Sequence, residues 1–429
     1  MSEMMPTEAS THLLAYGSKR LRAMNSRSYR VVSPSTNTSS ATLGQTIEFR
    51  IPGNQMASFL DNSTMYFKFS ITNNGANLNL EGKSGIFAII KKISILTSGQ
   101  SISEVDNYNV LHSCFIDTDT SIQYGNNVGK VLSGMNNNAL GLALGNGSTT
   151  SFVLPFLMNC LANSKKYIPL FSRDNITIKI QLDTALNAVK TAGAVADSQV
   201  VIGTPELIYN VVELDAAAFA AVSGSVDDKF EIVADDYRHT SSTVSASGNQ
   251  THVANLGFAF SSLNRVIIAQ RNSARQTADA LCIGNRCKRG LEEVNLLLNG
   301  ESIPSRPIKI TNQASEPLAE LLIADRALVA TDHDSRVNIG AGFNADDPTG
   351  ADADNTGSFL VQIDTESMRS NNDDPGIFSG VSTIGSVLQA QLKYNSSAPS
   401  GTTILDVFAQ YTSLLTLDMK GSQTFVLSV

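Results

Sequence analysis

A ten-residue pattern occurs twice in this chain and constrains the fold more than any other feature. Ile93-Ser94-Ile95-Leu96-Thr97-Ser98-Gly99-Gln100-Ser101-Ile102 resembles Val294-Asn295-Leu296-Leu297-Leu298-Asn299-Gly300-Glu301-Ser302-Ile303, and Gly300 lies 201 positions after Gly99. Three further matches keep the same order. Ser151-Phe152-Val153-Leu154 matches Ser358-Phe359-Leu360-Val361 at an offset of 207, and Ile178–Leu182 matches Leu388–Leu392 at 210. Val211–Asp215 matches Leu414–Asp418 at 203. Alternating strands all look alike, so one match means little. Four in one order, at nearly constant offset, read as a tandem duplication of a unit of roughly two hundred residues. The expected division is an irregular basic arm over 1–42, a first domain over 43–220 and a second over 221–429. The small residues Ala216 to Ser225 are expected to form a short linker.

Period-two alternation gives the unit its class. Thr46–Ile51 puts Ile47, Phe49 and Ile51 on one face; Met65–Ile71 and Ile176–Leu182 repeat the pattern, as do Val387–Tyr394 and Val407–Leu417. Helical signals are confined to Ser103–Phe115 and to Ser315–Leu328, where Ser315 is the expected N-cap and Pro317 sits in the first turn. Many strands with few short helices mean an all-β sandwich. The chain has 429 residues, of which 42% are hydrophobic and 16% charged, enough apolar material for two cores and too much for a disordered chain. No run of about 18 apolar residues occurs to span a bilayer as a helix. A net charge of −8 argues against a body that grips nucleic acid through a broad basic surface. Met1–Ser18 lacks the apolar core of a secretory signal. The cysteines Cys114, Cys160, Cys282 and Cys287 are too sparse for a disulfide framework, which suggests free thiols and synthesis in a reducing compartment.

Within each copy, early strands, a strand-turn-helix insertion and a closing set of long strands follow the element order of a jelly roll. The carriers are Gly44–Pro52, Ser151–Phe156, Tyr167–Leu170 with Ile176–Leu182, and Pro205–Leu214. On these residues, and over nearly its whole length, the chain resembles the double jelly-roll major capsid proteins of icosahedral DNA viruses. That lineage includes adenovirus-type hexons and the capsid proteins of virophages, polinton-like viruses and tailless phages. The resemblance implies two eight-stranded jelly rolls, and the ordered repeat predicts that they superpose with Gly99 over Gly300 and Val212 over Leu415. It implies a homotrimer whose six rolls form a pseudo-hexameric capsomer, tiling a virion shell with its strands upright and its N-terminal arm inside. The partners it implies are neighbouring trimers, penton and minor capsid proteins, and a genome or internal membrane. The arm's basic residues Lys19, Arg20, Arg22, Arg27 and Arg30 are the expected inward-facing contact for such an anionic partner.

The remaining constellations read as structure. Cys282-Ile283-Gly284-Asn285-Arg286-Cys287 has two thiols but no further zinc ligand nearby, and is expected to be an ordinary loop. The acidic stretch Asn344–Asn355, with Asp346, Asp347, Asp352 and Asp354, lacks the spacing of a helix–loop–helix calcium site and reads as a solvated loop. His12, His112, His239, His252 and His333 show no metal spacing and no paired nucleophile, and phosphate loops, nucleophile elbows and dinucleotide fingerprints are absent. The expectation is a structural protein with no catalytic residue, cofactor or metal. The competing reading is a carbohydrate-binding β sandwich such as a viral spike or lectin. The lack of any Trp to stack on sugar faces counts against it.

Overall fold

The computed structural model describes residues 26–136, 140–155, 159–164, 166–190, 195–226, 228–246, 249–273, 283–310, 314–328, 343, 357–366, 380–395, 401–420 and 424–428. The first half contains β1 (Ser26–Pro34), β2 (Ser40–Thr42), β3 (Thr46–Ile51), β4 (Ser58–Asn73), β5 (Leu78–Glu81), β6 (Ile90–Thr97) and β7 (Gln100–Asp106). The helices α1 (Tyr108–Asp119), α2 (Ile122–Asn126) and α3 (Val128–Ser133) follow. Then come β8 (Leu140–Leu144), β9 (Thr149–Pro155), β10 (Ile168–Pro169), β11 (Ile176–Leu182), α4 (Ala185–Ala188), β12 (Val189–Lys190) and β13 (Val200–Leu214). Helix α5 (Ala216–Ser225) leads into β14 (Lys229–Ala246), β15 (Thr251–Asn255), β16 (Leu263–Asn272), β17 (Leu291–Leu298) and β18 (Glu301–Lys309). Helix α6 (Ser315–Ala324), β19 (Val361–Asp364), β20 (Leu388–Tyr394), β21 (Gly401–Asp418) and β22 (Phe425–Ser428) complete the second half.

Eight strands of each half carry the sandwich. In the first they are β1, β3, β4, β6, β7, β9, β11 and β13. One sheet orders them β1-β13-β4-β9, the other β3-β11-β6-β7. In the second half the sheets are β14-β21-β16-β19 and β15-β20-β17-β18. Counted along the chain, both halves interleave strands one, eight, three and six against two, seven, four and five. That is the jelly-roll order, built twice.

The packing follows from the alternation. In β11 the residues Ile176, Ile178, Ile180 and Leu182 are buried, and Ile178 lies between Phe49 of β3 and Ile95 of β6. The corresponding place in the second half belongs to Ala390, between Ala254 and Leu296. The true partner of Ile178 is therefore Ala390, two residues from the position matched by sequence. An even slip keeps the same face of the pleat inward, so the sequence pattern could not detect it. Both hairpins turn through Ser98-Gly99 and Asn299-Gly300 with positive φ at both residues (51° and 77°; 51° and 87°). Such turns match the twist of the strands they join. Val212 pairs with Ser28 of β1 and Leu415 with Ile232 of β14, so these two positions also fall on equivalent strands.

Ser26 lies opposite Leu214, and Lys229 opposite Asp418. Both rolls thus begin at one end of the molecule, which also holds the two hairpin turns; it is called the base below. At the opposite end β5, β8 and β12 add a small third sheet to the first roll.

Four sequence expectations are corrected. Residues 26–42 are not an irregular arm. Ser26–Pro34 pairs along its whole length with β13, and Ser40–Thr42 continues along the same strand, so the first roll begins at least seventeen residues before Leu43. Its apolar residues Tyr29 and Val31 pack on the core between exposed basic ones, a weak alternation that the charges concealed. The small-residue linker is the helix α5, capped by the Asp215 carboxylate, which accepts from the Ala218 N–H at 2.6 Å. The helix expected over Ser103–Phe115 starts only at Tyr108, because the hairpin's return strand runs to Asp106; in α6 the N-cap is Ala314, not Ser315. The strand status of β1 is testable. Val31→Asp puts a charge against the core and is expected to lower unfolding stability by about 2 kcal/mol in a denaturant titration. An irregular arm would tolerate the change.

Candidate assembly site: the seam between the rolls

The two rolls are joined through buried polar groups. Helix α1 presents Ser113 and Asp117, one turn apart on the same face, to Arg286 from the segment between β16 and β17. Arg286 Nη1 donates to Ser113 Oγ at 2.7 Å, and Arg286 Nη2 donates to Asp117 Oδ2. The same carboxylate oxygen receives Lys83 Nζ at 2.8 Å, and Lys83 also donates to the Gly357 carbonyl at 3.0 Å. Glu81 Oε1 accepts from the Gly284 N–H at 3.3 Å. Two cations and two carboxylates thus share a site where Arg286 is 0% and Asp117 2% exposed. Burial lowers the pKa of Lys83, an effect partly offset by Asp117. Gly284 is required there, because a Cβ would lie 2.6 Å from that of Ser113.

A second cluster surrounds Asp406 of β21. Its Oδ1 receives Asn107 Nδ2 at 3.1 Å from the first roll and His239 Nε2 at 3.0 Å from β14, while Arg271 Nε donates to Oδ2. Burial alone would raise this carboxyl's pKa; Arg271 and His239 outweigh it and hold the group well below the ordinary carboxylate range. In the third polar contact no cation among the described residues touches the carboxylate. Asp236 of β14 accepts from Ser103 Oγ of β7 at 2.9 Å and from Tyr411 OH at 3.1 Å. Burial dominates here and pushes Asp236 up to about 7. Nearby, Phe115 of α1 packs edge-on against Tyr237 at 5.5 Å.

Toward the base the seam becomes apolar. Phe59, Phe171, Phe219 and Phe230 cluster with ring centroids 4.9–6.5 Å apart, tying β4 and β14 to α5. Beside them is a cavity of about 680 Å³ whose walls include Tyr167, Val212, Leu214 and Val226.

No protein-family model and no curated protein matches the sequence. Solved structures do. The chain is similar to a chain of the PBCV-1 virus capsid, with a TM-score of 0.64 and 12% identity over 95% of this chain and 98% of that one. The Faustovirus major capsid protein gives 0.58 and 9% over 94% and 92%. A chain of the Sputnik virophage gives 0.58 and 13% over 95% and 89%. This chain has the double jelly-roll fold. At these identities the similarity speaks for the fold, and it spans both rolls together with the seam between them.

The residues singled out from the sequence are scattered through the double jelly roll. Lys19, Arg20 and Arg22 lie outside the described residues, as do Cys282 and the acidic loop 344–355. Arg27 and Arg30 belong to β1 rather than to a tail. Arg27 Nη2 is 2.7 Å from Glu213 Oε2 and its guanidinium lies 5.0 Å from the Tyr29 ring centre, while Arg30 Nε is 3.5 Å from Asn210 Oδ1. Cys114 and Cys160 are free thiols and buried, and Cys287 is buried. Among the described residues no group of three or more His, Cys, Asp or Glu could hold a metal ion. The seam residues are not legible in the sequence, because Asp117 and Arg286 are 169 positions apart and carry no motif. The loop Cys282–Cys287 was noted for its thiols, and the working residue in it is the arginine.

Two measurements probe the seam. Asp117→Ala leaves Lys83 and Arg286 buried without their shared carboxylate and is expected to cost about 3–5 kcal/mol in a denaturant titration. Asp236 predicts a pH dependence. Its pKa rises from an ordinary 3.8 to about 7 on folding, so the folded chain binds the extra proton between those values. Stability therefore falls as pH rises through that window, by at most about 1.4 kcal/mol per unit, and levels off above it. Asp236→Asn should flatten the slope between pH 4 and 7, measured by unfolding at a series of pH values.

Proposed function

We propose that this chain is the major capsid protein of an icosahedral virus, acting as a homotrimer that forms a pseudo-hexameric capsomer. The observation that carries the reading is the doubled roll: two sandwiches of identical strand order stand side by side with their bases at one end, joined by a buried seam. Three such chains supply six similar lateral faces, so a single gene product can tile a hexagonal net. Individual trimer–trimer contacts can then be weak, because the shell multiplies them. The neighbouring solved structures support the reading, being drawn from viral capsids. In this reading the protein resides in the virion, meets penton and minor capsid proteins at the edges of its lattice, and has no catalytic role.

The arm reading is narrower than the sequence suggested. With Arg27 and Arg30 in β1, the proposed inward-facing basic cluster narrows to Lys19, Arg20 and Arg22, which precede Ser26 in the sequence. Its proposed partner is an anionic one inside the shell, genome or membrane.

Light scattering on the purified chain is expected to give three times the 45.7 kDa of one copy. A stable monomer at micromolar concentration would exclude the capsomer. Replacing Lys19, Arg20 and Arg22 by Gln should leave the trimer intact and reduce the genome or lipid recovered with purified particles. Full recovery would reduce the arm to a tail without a partner.

A further inference from the structure

The cavity at the base of the seam takes its walls from both rolls. Val212 and Leu214 of β13 and Val222 of α5 border it half-buried, and Ile232 of β14 borders it from the second roll. Tyr167 and Val226, the latter at the C-cap of α5, are 52% and 39% exposed, so the cavity communicates with solvent. The charged groups beside it are Lys166, Lys229 and Glu231. Lys229 Nζ lies 2.7 Å from Glu231 Oε1, and Lys166 Nζ lies 3.4 Å from the Glu231 carbonyl. With cations already engaged and walls this apolar, the site selects apolar matter rather than an ion. Its 680 Å³ is the size of a binding pocket, typically about 300–1,000 Å³, and holds several side chains.

The chain enters the first roll beside these walls. Ser26 pairs with Leu214 and Ser28 with Val212, and paired Cα atoms in an antiparallel sheet are about 5 Å apart. Residues 1–25 lie outside the described residues, and their sequence carries Leu13, Leu14, Leu21 and Met24 beside Lys19, Arg20 and Arg22. Met24 comes two residues before Ser26 and Leu21 five. Five residues reach at most about 17 Å, so both side chains are within range of the cavity.

We propose that the cavity receives Leu21 and Met24 of the chain's own N-terminal segment. The tether decides the occupant. A group held a few residues from its site is present at an effective concentration on the order of millimolar, which favours it over a free partner of similar apolar area. Wall and side chains leave water together, and that burial drives the docking. The segment is thereby fastened across the seam, because β13 belongs to the first roll and β14 to the second. Lys19, Arg20 and Arg22 stay outside the cavity, free for an anionic partner. The contact is internal to one chain and does not depend on the capsomer reading.

The full chain carries the test. Mild oxidation of Met24→Cys/Val222→Cys should give an intrachain disulfide, identified by mass spectrometry of the digested protein. Met24→Cys/Val131→Cys, with the second thiol moved to an 80% exposed position on α3, should give none. Trypsin should cut after Lys19, Arg20 and Arg22 at least tenfold faster in Leu21→Ser/Met24→Ser than in wild type. Val226→Asp, which changes an exposed wall residue instead, should have the same effect. Equal cleavage rates in the three chains would overturn the docking even where a disulfide forms, since oxidation can trap a passing encounter. A disulfide joining two chains would give the cavity to a second copy and overturn it as well. Neither result would touch the capsomer reading, which light scattering decides separately.

Discussion

One carboxylate, that of Asp117, ties the molecule together. It sits on a helix of the first roll, receives Lys83 of its own roll, and receives Arg286 of the second. Ion pairs this deeply buried are poor sources of net stability, because removing both charges from water costs about as much as their attraction returns. Their strength is discrimination. A docking that separated Arg286 from Asp117 would leave a buried guanidinium without its acceptor, which disfavours other relative orientations. Asp406 applies the same constraint from the other side, by collecting Asn107 from the first roll and Arg271 and His239 from the second.

That constraint gives the duplication its use. Two sandwiches of the same strand order on a loose tether would present their sides at variable angles. A seam with one geometry converts a repeated fold into a unit with defined outer faces. The copies have since diverged where their surroundings differ. The first roll carries the extra sheet β12-β5-β8 at the end away from the base, while in the second β22 takes the place along β21 that the start of β4 occupies along β13. The polar pair Ser103–Asp236 belongs to the contact between the rolls, formed on folding.

The sequence by itself determined the all-β class, the duplication and most of the strands. Thr46–Ile51 and Ile176–Leu182 have the observed bounds, because alternation at period two is written directly in the order of residues. The Gly turns were equally legible, since positive φ at two successive residues admits few residue types. The tertiary structure alone decided the rest. β1 becomes a strand because β13 offers it a free edge, although its own alternation is broken by Arg27 and Val32. The register that makes Ala390 the counterpart of Ile178 in the other roll depends on hydrogen bonds to neighbouring strands, and a shift of two residues leaves the pattern of faces unchanged. The seam was least visible of all. A buried Asp or Arg looks in sequence like any surface charge, and only the folded chain brings Asp117 and Arg286 from 169 positions apart into a site where neither can be left unpaired.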